Sequence, residues 1–117
     1  MTYATCNMTP LLATCLTILS DCHNRIGRLF MAAQMQALSP DCQRVKQAAI
    51  LQDKYMEAWT AAMDRQGADG VVRHLVEELA WDIHHTSRMW GFERYALTRE
   101  CVTGYRKQLE EAHRQSL

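Results

Sequence analysis

The chain has 117 residues, enough for one domain with a buried core and too few for two. Close to half of them are apolar (48%) and 22% are charged, with only two prolines and five glycines, a balance that favours helix throughout. Thirteen basic residues meet thirteen acidic ones, so nucleic-acid binding, which depends on phosphate neutralisation, has no charge excess behind it.

Residues 1–8 are expected to be loose. The first twenty residues carry no basic n-region, and the run LLATCLTIL is interrupted by Thr and Cys, so neither a signal peptide nor a membrane span is expected. The five cysteines (Cys6, Cys15, Cys22, Cys42 and Cys101) are odd in number and widely spaced. They read as reduced thiols of a cytoplasmic protein rather than as a disulfide framework.

Thr9-Pro10 is a helix start, with a hydroxyl to cap free N–H groups and a proline where its missing donor does no harm. The first helix is expected to run to Ala37. Its apolar stripe is Leu12, Cys15, Leu16, Leu19, Cys22, Ile26, Leu29, Phe30, Ala33 and Ala37, close to a heptad seam. Ser39-Pro40-Asp41 repeats the start signal, and so short a link joins antiparallel neighbours. The second helix then extends to about Gln66, with a predicted seam of Val45, Ala48, Ala49, Gln52, Met56, Trp59 and Met63. Gln52 is the polar member of that seam, either an edge glutamine or a contact that sets register. Gly67-Ala68-Asp69-Gly70 is a turn.

A third helix follows and stops at Gly91, a residue suited to the position just past a helix end. Phe92 to Leu97 is a bend or a distorted continuation, and the aromatics Trp90, Phe92 and Tyr95 either plug the end of the bundle, the favoured reading, or bind a ligand. A last helix starts after Thr98 and turns Cys101, Val102, Tyr105, Leu109 and Ala112 inward. The expected fold is all-α, an antiparallel bundle of about four long helices that homodimerisation could complete. Near its end, Arg94, Arg99, Arg106, Lys107 and Arg114 alternate with Glu93, Glu100, Glu110 and Glu111, the pattern of a solvated face.

The third helix has two sides that both look occupied. At 100° per residue, Val72, Leu75, Val76, Leu79, Ile83 and Trp90 fall together, while His74, Glu78, Trp81 and His85 fall nearly opposite. Two histidines around a tryptophan, with Met89 a turn beyond His85, are an unusual way to meet water. A second subunit or a neighbouring helix covering Trp81 accounts for the pattern. So does a contact surface for a different protein, since Trp anchors dominate interface energetics. Met31, Met35 and Ile50 also fall off their helices' main seams, and methionine suits adaptable surfaces.

Metal and covalent chemistry fare less well. Asp82-x-x-His85 and Glu110-x-x-His113 resemble the carboxylate-x-x-His pairs of di-iron bundles, but Asp82 and His85 point away from the apolar seam. If the last two helices fold back near residue 94, His113 lies level with His74 rather than His85. His74 and Glu78 could share an ion, whereas His85 is about 10 Å further along the axis. Cys22 and His23 are adjacent, so they diverge by about 100° and are badly placed to share a proton. No Gly-rich nucleophile turn accompanies them. Neither a cofactor nor an enzymatic activity is expected.

Three classes of function remain: a stoichiometric protein-binding inhibitor or chaperone, a metal- or ligand-binding bundle, and a helical DNA-binding regulator that the charge balance disfavours. As a whole pattern of size, long paired helices, near-neutral charge and absent catalytic motif, the chain resembles the small all-helical anti-activators of bacterial quorum sensing. Small phage-type inhibitor proteins share the same features. The anti-activator resemblance implies binding to a LuxR-type transcription regulator and interference with its dimerisation or DNA binding. It carries no functional residue across, because no diagnostic motif supports it. The expected partners are thus another protein and a second copy of the chain, with no direct nucleic acid and no membrane.

Overall fold

A computed structural model describes residues 9–36, 43–65, 70–92 and 96–116. They form four α-helices: α1 (Pro10–Gln36), α2 (Gln43–Arg65), α3 (Gly70–Trp90) and α4 (Arg99–Ser116). No helix among the described residues is long and apolar enough to cross a membrane. The start signal of α2 at 39–41 and most of the turn at 67–70 lie outside the described residues, as do Ala37 and Tyr95.

The helix ends follow from local chemistry. Thr9 Oγ1 accepts the Leu12 N–H at 3.1 Å, and Thr98 Oγ1 accepts the Cys101 N–H at 3.3 Å, each satisfying a donor with no partner inside its helix. At the end of α3, Gly91 adopts φ 76°. The Phe92 N–H reaches back to the Ser87 carbonyl at 2.7 Å and the Gly91 N–H to the Arg88 carbonyl at 3.1 Å. Together these bonds are a Schellman turn, and its left-handed residue is the glycine marked by the sequence.

Cross-helix contacts fix the heights. The Leu11 N–H donates to Ser116 Oγ at 3.1 Å, and the Arg25 guanidinium donates to the Ala96 carbonyl, so α4 runs antiparallel along the first half of α1. His23 faces Tyr55 with ring centroids 4.7 Å apart, and Lys54 pairs with Asp82. The order is therefore up-down-up-down. Among the described residues α1 packs against all three other helices, whereas α2 and α4 lie on opposite flanks and do not meet.

That central place explains the breadth of α1's buried arc. Leu12, Cys15, Leu19, Cys22, Ile26, Leu29 and Ala33 are buried as predicted, and Leu16 and Phe30 are half-buried. Leu11 and Ile18 are buried as well, because a helix with three neighbours covers more than one seam. In α4 the inward set is Val102, Tyr105, Leu109 and Ala112, with Cys101 half-buried.

α2 corrects the sequence reading. Its buried residues are Ala48, Leu51, Ala58 and Ala62. Of the predicted seam, Ala49, Met56 and Met63 are exposed and Val45, Gln52 and Trp59 only half-buried. The true face is rotated by about one residue's step round the helix, roughly 100°. Alanines let α2 approach α1 and α3 closely, and they bury little area each, so a ranking by side-chain size selects the larger, outward methionines instead.

Candidate protein-binding face on α3

Inside the bundle α3 contributes Val72, Val76, Leu79, Ala80 and Ile83 to the core. Continuous burial on that side fixes the rotation of the helix and so determines what its other side presents. That side carries His74, Glu78, Trp81, His85 and Met89, all exposed. The structure thus brings the five predicted residues together on one solvent-facing strip about four turns long, and no helix among the described residues covers it.

Trp81 is 38% exposed and does not hang free. Its ring stacks on His84 with centroids 5.5 Å apart, and His85 meets it edge-on at 4.7 Å. Two imidazoles hold the indole against the helix surface, which reduces the rotamer entropy lost when a ligand covers it. Met89, 81% exposed, is the flexible apolar side chain at the end of the strip. At the other end His74 Nε2 lies 3.5 Å from Glu78 Oε2 in an open pair. Exposed pairs of this kind contribute little to stability.

Beside the strip, a hollow of about 130 Å³ opens between α2 and α3, lined by Lys54, Glu57, Leu75, Glu78 and Leu79. Asp82 does not reach the strip, because it is committed to Lys54 across the same helix pair. The hydrogen bond that Lys54 donates to Asp82 is the largest influence on its ammonium and raises its pKa.

His84 is the residue that sequence reasoning missed. It is 2% exposed, and its Nδ1 lies 3.0 Å from the Leu97 carbonyl oxygen. Two neighbouring histidines therefore have opposite environments: His84 anchors the segment leading into α4, while His85 faces water. The available signal was spacing, since His84 is four residues after Ala80 and three before Ser87, both buried.

The alternative chemistries find little support in the geometry. Among the described residues no three or more His, Cys, Asp and Glu side chains converge as a metal site. Arg73 Nη2 lies 3.8 Å from Glu110, so the C-terminal half of α4 is level with the start of α3 and far from His85. Cys22 is fully buried, and burial is the main cause raising its thiol to about 12, while His23 beside it packs on Tyr55. Burial likewise pushes Cys15 up to about 11. Such thiols are protonated at neutral pH and are poor nucleophiles. Cys15, Cys22 and Cys101 are all free; Cys6 and Cys42 lie outside the described residues.

Compared with protein-family models, curated proteins and solved structures, the chain has no match in any of the three.

Proposed function

We propose that this chain is a non-enzymatic binding protein that captures another protein through the outer face of α3, in the manner of an anti-activator that occupies a bacterial transcription regulator. The observation that carries the reading is Trp81, a large aromatic side chain braced by His84 and His85 on a strip that the bundle leaves uncovered. An amphipathic helix from the partner would lay its apolar side along Trp81 and Met89. Trp81 is the anchor and Met89 the adaptable contact, whereas His74 and Glu78 form a polar rim that tunes rate and selectivity more than affinity. A regulator whose own pairing uses that helix cannot then dimerise. Inhibition is by occupancy, and the stoichiometry is fixed.

The test is capture from a native bacterial lysate on the immobilised chain, with Trp81→Ala in parallel and mass spectrometry as readout. The expected result is a transcription regulator retained by the wild type and lost by the variant. Retention of nothing, or equal retention by both proteins, would overturn the reading.

A further inference from the structure

Away from α3, one face of the molecule carries no Asp, Glu, Lys or Arg, with the exposed His23 its one titratable group among the described residues. Taken at 100° per residue, the side of the α1–α2 hairpin turned from the core presents Ser20, Asn24, Gly27 and Met31 on α1, all exposed. Beside them α2 presents Ala49, Gln52, Met56 and Met63. These are the residues of the supposed seam that the fold turned outward, with Met56 49% and Met63 51% exposed. We propose that this face is where two copies of the chain pair, as an isologous dimer.

Three observations converge on a second copy as the occupant. The first is charge. None of these eight residues is acidic or basic, so two copies of the face meet without placing like charges together. Charges begin only at the rims, with Arg28 on the outer edge of α1 and Asp53 on the outer edge of α2.

The second is shape. α1 contributes the small residues Ser20, Asn24 and Gly27 with Met31 beyond them, and α2 contributes Gln52, Met56 and Met63 with Ala49 as its small residue. Nothing lies within 4 Å of the position a Cβ would take at Gly27, so a helix-weakening glycine is kept where no neighbour in this chain demands it. The His23–Tyr55 ring contact places those residues at one height, and the helices run in opposite directions. Met56 therefore stands level with the gap between Ser20 and Asn24, and Met31 with the gap between Val45 and Ala49. Gln52 is level with Gly27 to within about one residue's rise, 1.5 Å. A two-fold axis running along the bundle between α1 and α2 lays α1 of one copy antiparallel over α2 of the other and preserves these heights. Met56 and Met31 then fall on gaps and Gln52 falls on Gly27, each contact occurs twice by symmetry, and Arg28 comes beside Asp53 of the second copy at the rim.

The third is area. α2 is about 35 Å long, and two helices side by side are about 20 Å wide, giving roughly 700 Å² per copy. A stable pair buries about 800 Å² on each partner.

The experiment is sedimentation equilibrium of the full chain from about 1 to 500 µM, a range that resolves dissociation constants in the micromolar region. The expected result is a monomer–dimer equilibrium that Met56→Glu and, separately, Asn24→Glu each weaken at least about tenfold. Their far-ultraviolet circular dichroism should not change, because both positions face water in the single chain. Trp81→Ala should leave the equilibrium within about twofold of wild type, which separates this surface from the one proposed on α3. A monomer across the whole range, or a dimer unaffected by both glutamates, would overturn the proposal. So would a dimer that Trp81→Ala dissolves while the glutamates spare it.

Discussion

His84 Nδ1 lies 3.0 Å from the carbonyl oxygen of Leu97, and both residues are buried. This bond ties the middle of α3 to the residue just before the cap of α4. Leu97 itself is fully buried, so the connection is sealed as well as hydrogen-bonded. Replacing His84 by Ala leaves a cavity and a carbonyl oxygen short of its partner. The expected loss is about 2–4 kcal/mol by urea unfolding, from the ranges for core truncation and for stranding a buried polar group. A loss under about 0.5 kcal/mol would mean that the bond contributes nothing to the docking of α4.

Trp81 and Ile83 are two residues apart and should respond in opposite ways. Ile83→Ala removes a fully buried side chain and should destabilise by about 2–5 kcal/mol. Trp81→Ala removes a half-exposed side chain that stacks on its two neighbouring imidazoles. It should leave the helix signal intact and cost less than about 1.5 kcal/mol of folding stability, while partner capture weakens by at least about 1 kcal/mol. Thermal melts of the two variants side by side check the first half, and the capture assay checks the second.

The thiols give a pH prediction. Cys15 and Cys22 are raised from 9.0 to about 11 and about 12 by burial, so the folded chain holds their protons more tightly than the unfolded chain does. The stabilisation this implies is complete below about pH 9 and is lost as pH rises through the folded values. Stability measured by urea should therefore fall between about pH 9 and 12, and a Cys15→Ala, Cys22→Ala double variant should show a shallower fall. At pH 8 neither thiol should react with a thiol reagent until the chain is unfolded. Fast labelling of the native protein at Cys15 or Cys22 would contradict their burial.

Two glycines make a paired test. Gly91 sits at φ 76°, where a side chain strains the backbone, so Gly91→Ala should destabilise by about 1–2 kcal/mol. Gly27 lies inside α1 with open space around it, so Gly27→Ala should stabilise the isolated chain by about 0.5–1 kcal/mol. Urea midpoints of the two variants, measured at low protein concentration, should move in opposite directions.

Much of this architecture was legible because the signals were local. Thr9, Thr98 and Gly91 mark helix ends through chemistry that involves only their near neighbours. The α1 and α3 stripes are dense enough in Leu, Ile and Val to fix which side is buried. The grouping of His74, Glu78, Trp81 and His85 on one side of α3 followed from its apolar periodicity, whereas their exposure did not, because a neighbouring helix or a second subunit could equally have covered that side. α2 was misread because three of its four buried residues are alanines, which no size-weighted pattern singles out, and because Met56 and Met63 stand at helical spacing on the wrong side and drew the seam away from the buried Leu51. The role of His84 was hidden for a different reason: its partner is a backbone oxygen 13 residues away, and backbone oxygens leave no trace in a sequence.

The hydrogen bond between Leu11 and Ser116 joins positions 105 residues apart. The first half of α1 is covered on one flank only by α4, so during synthesis that flank stays bare until nearly the whole domain has left the ribosome. α1, α2 and α3 can collapse as successive neighbours, whereas α4 must close the longest loop in the chain before its contacts form. The newborn three-helix intermediate therefore leaves the α4-facing flank of α1 open to solvent or to a chaperone. Ribosome-bound nascent chains of increasing length should become protease-resistant only once α4 has emerged in full.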